Sequence, residues 1–133
     1  MALTAEQDQY LKDHNLGVLG TGRRDGSPQL STVYYHYDGT DVAMSVTTDR
    51  AKWKNAVRQP NVSLAVLDGR KQLILYGVAE AIDDLDGIVS GHRRIRAAMG
   101  RESDATDEEF GAELQGLNRV VLRITPEKAF MND

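Results

Sequence analysis

Thr47-Thr48-Asp49-Arg50-Ala51-Lys52-Trp53-Lys54-Asn55-Ala56-Val57-Arg58-Gln59-Pro60-Asn61-Val62 sets two hydroxyls and two cations at the point where a strand turns into a short helix. Upstream, Val42 to Val46 reads as a strand. Ala51 to Gln59 reads as a helix that stops before Pro60, because a proline ring disfavours helical backbone at the residue preceding it. Val62 then opens another apolar strand. Such a junction suits a phosphate: the first backbone N–H groups of the helix are free, its positive end faces the anion, and side-chain cations add charge-assisted hydrogen bonds. Residues two apart do not share a helix face. Arg50 and Lys52 therefore converge on one ligand only with Arg50 in the entering turn and Lys52 in the first helical turn. The plain alternative is a pair of solvated charges on a surface helix. Asp49 would repel a phosphate, unless its carboxylate is taken up in capping the helix.

Outward from the junction, the chain reads mainly as hairpins. Thr4-Ala5-Glu6-Gln7 is a capping box opening a helix to about Asn15. Leu16 to Arg23 and Leu30 to Tyr37 are strands, closed by Asp25-Gly26 and Asp38-Gly39, pairs that supply the positive φ tight turns need. Val62 to Asp68 and Gln72 to Ile82 form a hairpin about Gly69-Arg70. A helix from about Leu85 to Met99 and an acidic segment precede a last strand, Arg119 to Thr125. Antiparallel hairpins with few helices argue a small barrel rather than a parallel α/β sheet, and no internal repeat is visible.

Thr47-Thr48-x-Arg50-x-Lys52-x-x-Asn55, followed by Pro60-Asn61-Val62, resembles the pyridoxamine 5'-phosphate oxidase-like split barrels, and within them the branch that binds the deazaflavin coenzyme F420. Leu16 to Thr21 with Asp25 to Tyr35 is similar to the family's opening hairpin, Leu75 to Ala81 to its fifth strand, and Arg119 to Ala129 to its last strand and exit. The resemblance implies a mainly β (α+β) fold over residues 1–133, one six- or seven-stranded antiparallel split β-barrel of the FMN-binding type with peripheral helices. It implies Arg50 and Lys52 holding a cofactor phosphate, Thr47 and Thr48 along the phosphate and ribityl chain, and Asn55 in support behind them. It places the flat ring against the second strand, making Pro28, Ser31, Thr32 and Val33 candidate contacts. A homodimer with cofactor clefts between subunits is implied too. So is an F420-dependent oxidoreductase that exchanges hydride with an unsaturated or conjugated organic substrate. An FMN enzyme of the same barrel, or a flavin-binding protein without turnover, stays open beside it.

Composition removes other classes. The 133 residues include no cysteine, which excludes a disulfide scaffold, a thiolate zinc site and cysteine catalysis, and fits a reducing cytoplasm. A net charge of −4 offers no general attraction for nucleic acid. Met1-Ala2-Leu3-Thr4 is not the basic-then-apolar start of a secretory signal, and the apolar run from Leu73 to Ala79 is too short to cross a bilayer, so no membrane partner is expected.

Several motifs fail on inspection. Gly20-x-Gly22 lacks the third glycine and the following helix of a dinucleotide fold, and reads as a close approach by ligand or neighbouring strand. In Gly87-Ile88-Val89-Ser90-Gly91 the serine stands one place late for a nucleophile elbow. Asp84-Leu85-Asp86-Gly87 reads as a helix cap rather than a calcium loop. His14, His36 and His92 show no paired metal spacing, so no metal site is expected. His92 falls within the apolar stripe Leu85, Ile88, Val89, Ile95 and Met99, where a satisfied core histidine or a proton donor facing a pocket are the two readings. No catalytic triad or dyad is evident; the proton completing a reduction would come from water, or from a Tyr or His. Arg93, Arg94, Arg96 and Arg101 precede a run of acids from Glu102 to Glu113, either as solvent-side ion pairs or as a landing surface for the polyglutamate tail of F420. In the second strand, alternation sends Leu30, Thr32, Tyr34 and His36 to one face and Ser31, Val33, Tyr35 and Tyr37 to the other. Both faces are bulky enough that both are expected to be covered, by the barrel core, a ligand or a second subunit.

Overall fold

The computed structural model describes residues 3–132, so Met1-Ala2 of the segment read for a signal lies outside them. In chain order the elements are α1 (Ala5–Asp13), β1 (Leu16–Gly22), β2 (Pro28–Tyr34), β3 (His36–Tyr37), β4 (Val42–Thr47), α2 (Ala51–Arg58), β5 (Asn61–Asp68), β6 (Lys71–Ile82), α3 (Leu85–Ala98), α4 (Asp107–Gly116) and β7 (Arg119–Met131). The strands form one antiparallel sheet in the order β2-β1-β5-β6-β7-β4-β3, curled into a half-barrel. Of the six or seven strands expected, seven are present among the described residues, with the expected peripheral helices.

Alternation builds the core. Val42, Met44 and Val46 of β4, Leu64 and Val66 of β5, Leu73 and Leu75 of β6, and Leu122 and Ile124 of β7 all point into the curl and are buried. Helix α1, closed by the expected Thr4–Gln7 capping box, inserts Leu11, while the Tyr10 hydroxyl donates to the Val66 carbonyl at 3.0 Å. Burying such a side chain contributes about 1.5–3 kcal/mol, so this one packed interior dominates the stability.

The sequence reads Leu30 to Tyr37 as one strand; the structure divides it at Tyr35. The Tyr35 N–H donates to the Asn15 carbonyl on the β1 side, whereas His36 and Tyr37 pair with Ala43 and Val42 of β4. The chain thus leaves one sheet edge and joins the other at this residue. Inward alternation survives the crossing, with Val33, Tyr35 and Tyr37 all buried. The opposite face is not covered within the chain: Leu30 is 70% exposed and Tyr34 64%.

Two further differences concern the C-terminal third. The acidic segment contains a helix, α4, with a Thr106–Glu109 capping box and fully buried Phe110 and Leu114. That capping box and the four-residue apolar spacing were legible, but the surrounding carboxylates mask them as a solvated run. Strand β7 also continues to Met131, because its far half pairs with the first half of the long β6. A register shift at Tyr76/Gly77 bends that pair. A Cβ at Gly77 would lie 2.5 Å from the Thr125 carbonyl oxygen, so only glycine fits the bend.

Tyr35 also donates its hydroxyl to the Leu11 carbonyl at 3.0 Å, in the last turn of α1 where the helix supplies no partner. Tyr35→Phe leaves that buried carbonyl unpaired and should cost about 1–3 kcal/mol, read as a lower urea midpoint with an unchanged slope. Unchanged stability would show that the seam does not depend on this bond.

Candidate functional site

The junction adopts the one arrangement in which Arg50 and Lys52 can converge. Arg50 is the N-cap of α2, with extended backbone (φ −79°, ψ 144°), and Lys52 lies in the first helical turn. No side chain caps this helix, so its leading N–H groups are left without partners from its own ladder. Asp49 does not cap it either: its carboxylate accepts the Thr47 hydroxyl at 2.5 Å, a bond that holds its pKa below the usual carboxylate range. Thr48 N–H donates to the Asn118 carbonyl at 3.1 Å, and Arg50 N–H to the Thr47 carbonyl at 3.1 Å, fixing the turn. Asn118 itself takes the left-handed conformation (φ 56°) that asparagine tolerates better than most residues.

Beside the turn runs a cleft of about 440 Å³ between β2 and α3. Thr32, Val33 and Tyr34 form one wall, Ile95, Arg96 and Met99 the other, and Lys52 and Arg119 close one end over Ser45 and His92. Burial, then the charges of Arg50 and Arg119, push the Lys52 pKa below its ordinary value. Among the described residues none of Arg50, Lys52, Arg96 and Arg119 forms an ion pair, and no carboxylate lines the cleft. Arg96 rests its guanidinium over the Phe110 ring, 5.0 Å from the centroid. Converging cations without counter-charge favour an anion, and a volume of this order suits part of a small organic ligand.

The sequence-derived candidates separate into groups. Thr32, Val33 and Lys52 line this cleft, whereas Arg50, Thr47 and Thr48 belong to the turn that leads into α2 and are not among its lining residues. Ser31 is half-buried on the inner face, opposite Leu19. Pro28 lies elsewhere, pairing with Gly22 and lining a separate groove with Leu30 and Tyr76 on the outer sheet face. Asn55 is buried and fully engaged by the protein: its amide donates to Thr21 Oγ1 and Gln29 Oε1, both at 3.1 Å, and its carbonyl accepts Arg58 Nη2 at 2.9 Å. It ties α2 to the first hairpin. The bare face at Gly20 is packing, since a Cβ there would meet Ser63 Oγ at 2.7 Å.

His92 is a satisfied core residue, only 2% exposed. Its Nδ1 lies 2.7 Å from the Ile88 carbonyl and its Nε2 2.7 Å from Ser45 Oγ. A carbonyl only accepts, so Nδ1 carries the proton, Nε2 accepts from Ser45, and no proton faces the cleft. Burial, assisted by Arg96 and Arg119, outweighs the Ile88 carbonyl and holds the imidazole pKa below its usual value. The arginine run does not form one surface. Arg93 is tied to Asp107 at 2.8 Å and to the carbonyls of Ser103 and Ala105. Arg94 lines a different groove beside Asp38 and Glu80, and Arg96 alone enters the cleft. Asp84 caps α3 through Gly87 N–H, as its position predicted. Ser45 and Arg119 are cleft residues that sequence reading did not single out; the only signal was an arginine opening the last strand.

The model of the pyridoxamine 5'-phosphate oxidase family matches residues 3–133. Among solved structures, a conserved hypothetical protein, Rv2991, from Mycobacterium tuberculosis superposes with a TM-score of 0.78 at 24% identity, over 100% of this chain and 86% of that one. A protein described as an F420 reductase gives 0.72 at 22%, over 96% and 98%. A FAD-binding protein from Mesorhizobium loti gives 0.72 at 21%, over 97% and 94%. These identities speak for a shared fold. With the family model spanning nearly every residue and the half-barrel observed, the chain belongs to the pyridoxamine 5'-phosphate oxidase family.

Proposed function

We propose that this protein is an F420-dependent oxidoreductase that exchanges a hydride between the deazaflavin and an unsaturated or conjugated organic substrate. The observation that carries the reading is the uncapped start of α2, with Arg50 at its N-cap and Lys52 in its first turn lining the cleft walled by β2, neither of them in an ion pair among the described residues. That donor set fits a cofactor phosphate: two cations, free helix N–H groups and the nearby Thr47 and Thr48. The resemblance of the junction to the deazaflavin branch favours F420 over FMN, and an F420 reductase is among the proteins that share the fold. When bound, the deazaflavin would supply the hydride chemistry; the chain's part is to bind, orient and shield it. Thr32 and Val33 would support the ring along β2, with Tyr34 and Met99 flanking the site where a substrate would enter. His92 has no proton to offer, so water completes the proton balance.

The working unit in this reading is a homodimer. Leu30 and Tyr34 of β2, Leu16 of β1, Tyr76 of β6 and Phe130 of β7 (55% exposed) lie on the same outer sheet face. A row of apolar side chains on an open sheet suits a second copy, and two-fold pairing would cover both copies at once. Tyr34 belongs to this face and to the cleft wall, so the partner would lie over the ligand. A cysteine-free chain of this kind suits the reducing cytoplasm.

Purified protein should bind F420 more tightly than FMN, read by cofactor fluorescence; equal or stronger FMN binding would move the assignment to a flavin enzyme, and no binding of either would end the cofactor reading. Arg50→Ala and Lys52→Ala should each weaken binding by about ten- to a hundred-fold, with unchanged thermal melting. Affinity unchanged in both would return these residues to the surface. Light scattering at micromolar concentration should show a dimer that Leu30→Glu converts to monomer. A monomeric wild type that binds cofactor normally would confine the cleft to one chain.

A further inference from the structure

Arg119 lines the same cleft as Lys52, from a strand that carries none of the junction. In the β4–β7 ladder it stands opposite Thr47, and Ser45 lies two residues before Thr47 on the same face of β4. Among the described residues the guanidinium makes one hydrogen bond, a long donation from Nη1 to Ser45 Oγ at 3.5 Å. Arginine has five N–H donors, so most of its capacity is left for a ligand.

The geometry points to Arg119 as a further anion-binding residue of the cleft, positioned by Ser45, whose hydroxyl is in turn oriented by His92. The direction of the chain follows from its buried end. Ile88 carbonyl accepts from Nδ1, so Nε2 presents a lone pair. Ser45 must then give its proton to Nε2 across 2.7 Å, which turns the hydroxyl oxygen's remaining lone pairs toward Arg119. A neutral imidazole is required for this orientation, and the burial of His92 beside Arg96 and Arg119 keeps it neutral. Lys52 feels the charges of both Arg50 and Arg119, a repulsion that lowers its pKa in the free protein. A phosphate-class anion bound among the three relieves it, and Arg119 approaches from the β7 side where α2 supplies no donor.

This inference rests on Arg50 and Lys52 gripping an anion, and its test uses two probes so that the two can fail separately. Dissociation constants for F420 and FMN are measured by fluorescence. Those for inorganic pyrophosphate are measured by NMR of the arginine side-chain N–H signals. The proteins are wild type, Arg119→Met, Arg119→Lys, Ser45→Ala and the Ser45→Ala/Arg119→Met double variant, each checked by thermal melting. Arg119→Met should weaken every probe that the wild type binds by at least about tenfold, and Arg119→Lys should recover part of the loss. Ser45→Ala should weaken binding less, and should have no further effect in the Arg119→Met background, because it acts only through that arginine. If wild type binds pyrophosphate but neither cofactor, the cofactor reading fails and Arg119 is judged on pyrophosphate alone. Equal affinity of Arg119→Met and wild type overturns the assignment of Arg119. Effects of Ser45 that add to those of Arg119→Met overturn the positioning chain. A wild type that binds no probe overturns both.

Discussion

A curled sheet has two edges, and in this protein the covalent chain itself carries the backbone from one to the other. The transfer takes place at Tyr35. Its N–H is held by the Asn15 carbonyl and its hydroxyl by the Leu11 carbonyl, so the residue is bonded at both ends before the chain turns to pair with β4. A buried polar group without a partner costs about 1–3 kcal/mol; both of Tyr35's donors are met. The crossing brings β2 opposite β4 and α3, and the cleft is the gap left where β2 and β4 approach without a ladder between them.

From that gap follows the electrostatic character of the site. No carboxylate lines the cleft, and Asp49, in the adjoining turn, is spent on Thr47. What is left facing the cleft is positive. A protein of net charge −4 thus presents a local cationic cleft, a field of the kind that attracts an anion.

Helices α3 and α4 give this site its back wall. Phe110 is fully buried, with the guanidinium groups of Arg93 and Arg96 over its ring at 4.6 and 5.0 Å. The ring holds one arginine toward α4 and the other toward the cleft. Gly91 permits the close seat of α3 on β7, since a Cβ there would lie 2.9 Å from Val121 Cγ2. That seat in turn sets the His92 ring over Ser45.

Much of this was legible in the sequence, because it depends on neighbours. The Asp-Gly turns, the Thr4–Gln7 box, the alternating strands and the strand-to-helix junction are each specified within a few residues, by φ preferences, caps and side-chain period. The split geometry of Arg50 and Lys52 could even be stated as a condition before it was seen. Other features had no local signature. Leu30 to Tyr37 alternates without interruption, so nothing in the pattern marks where the chain changes partner; that depends on which strand edge each backbone group meets. Asn55 matched a ligand-site motif, yet packing spends its amide on Thr21 and Gln29. The meeting of Arg119 with Lys52, and of Ser45 with His92, joins segments far apart in the chain through sheet register. Sequence alone determined most of the elements and the cationic turn; the tertiary structure decided where the second strand changes partner and which distant side chains share the cleft, because register and helix seating, not local preference, bring them together.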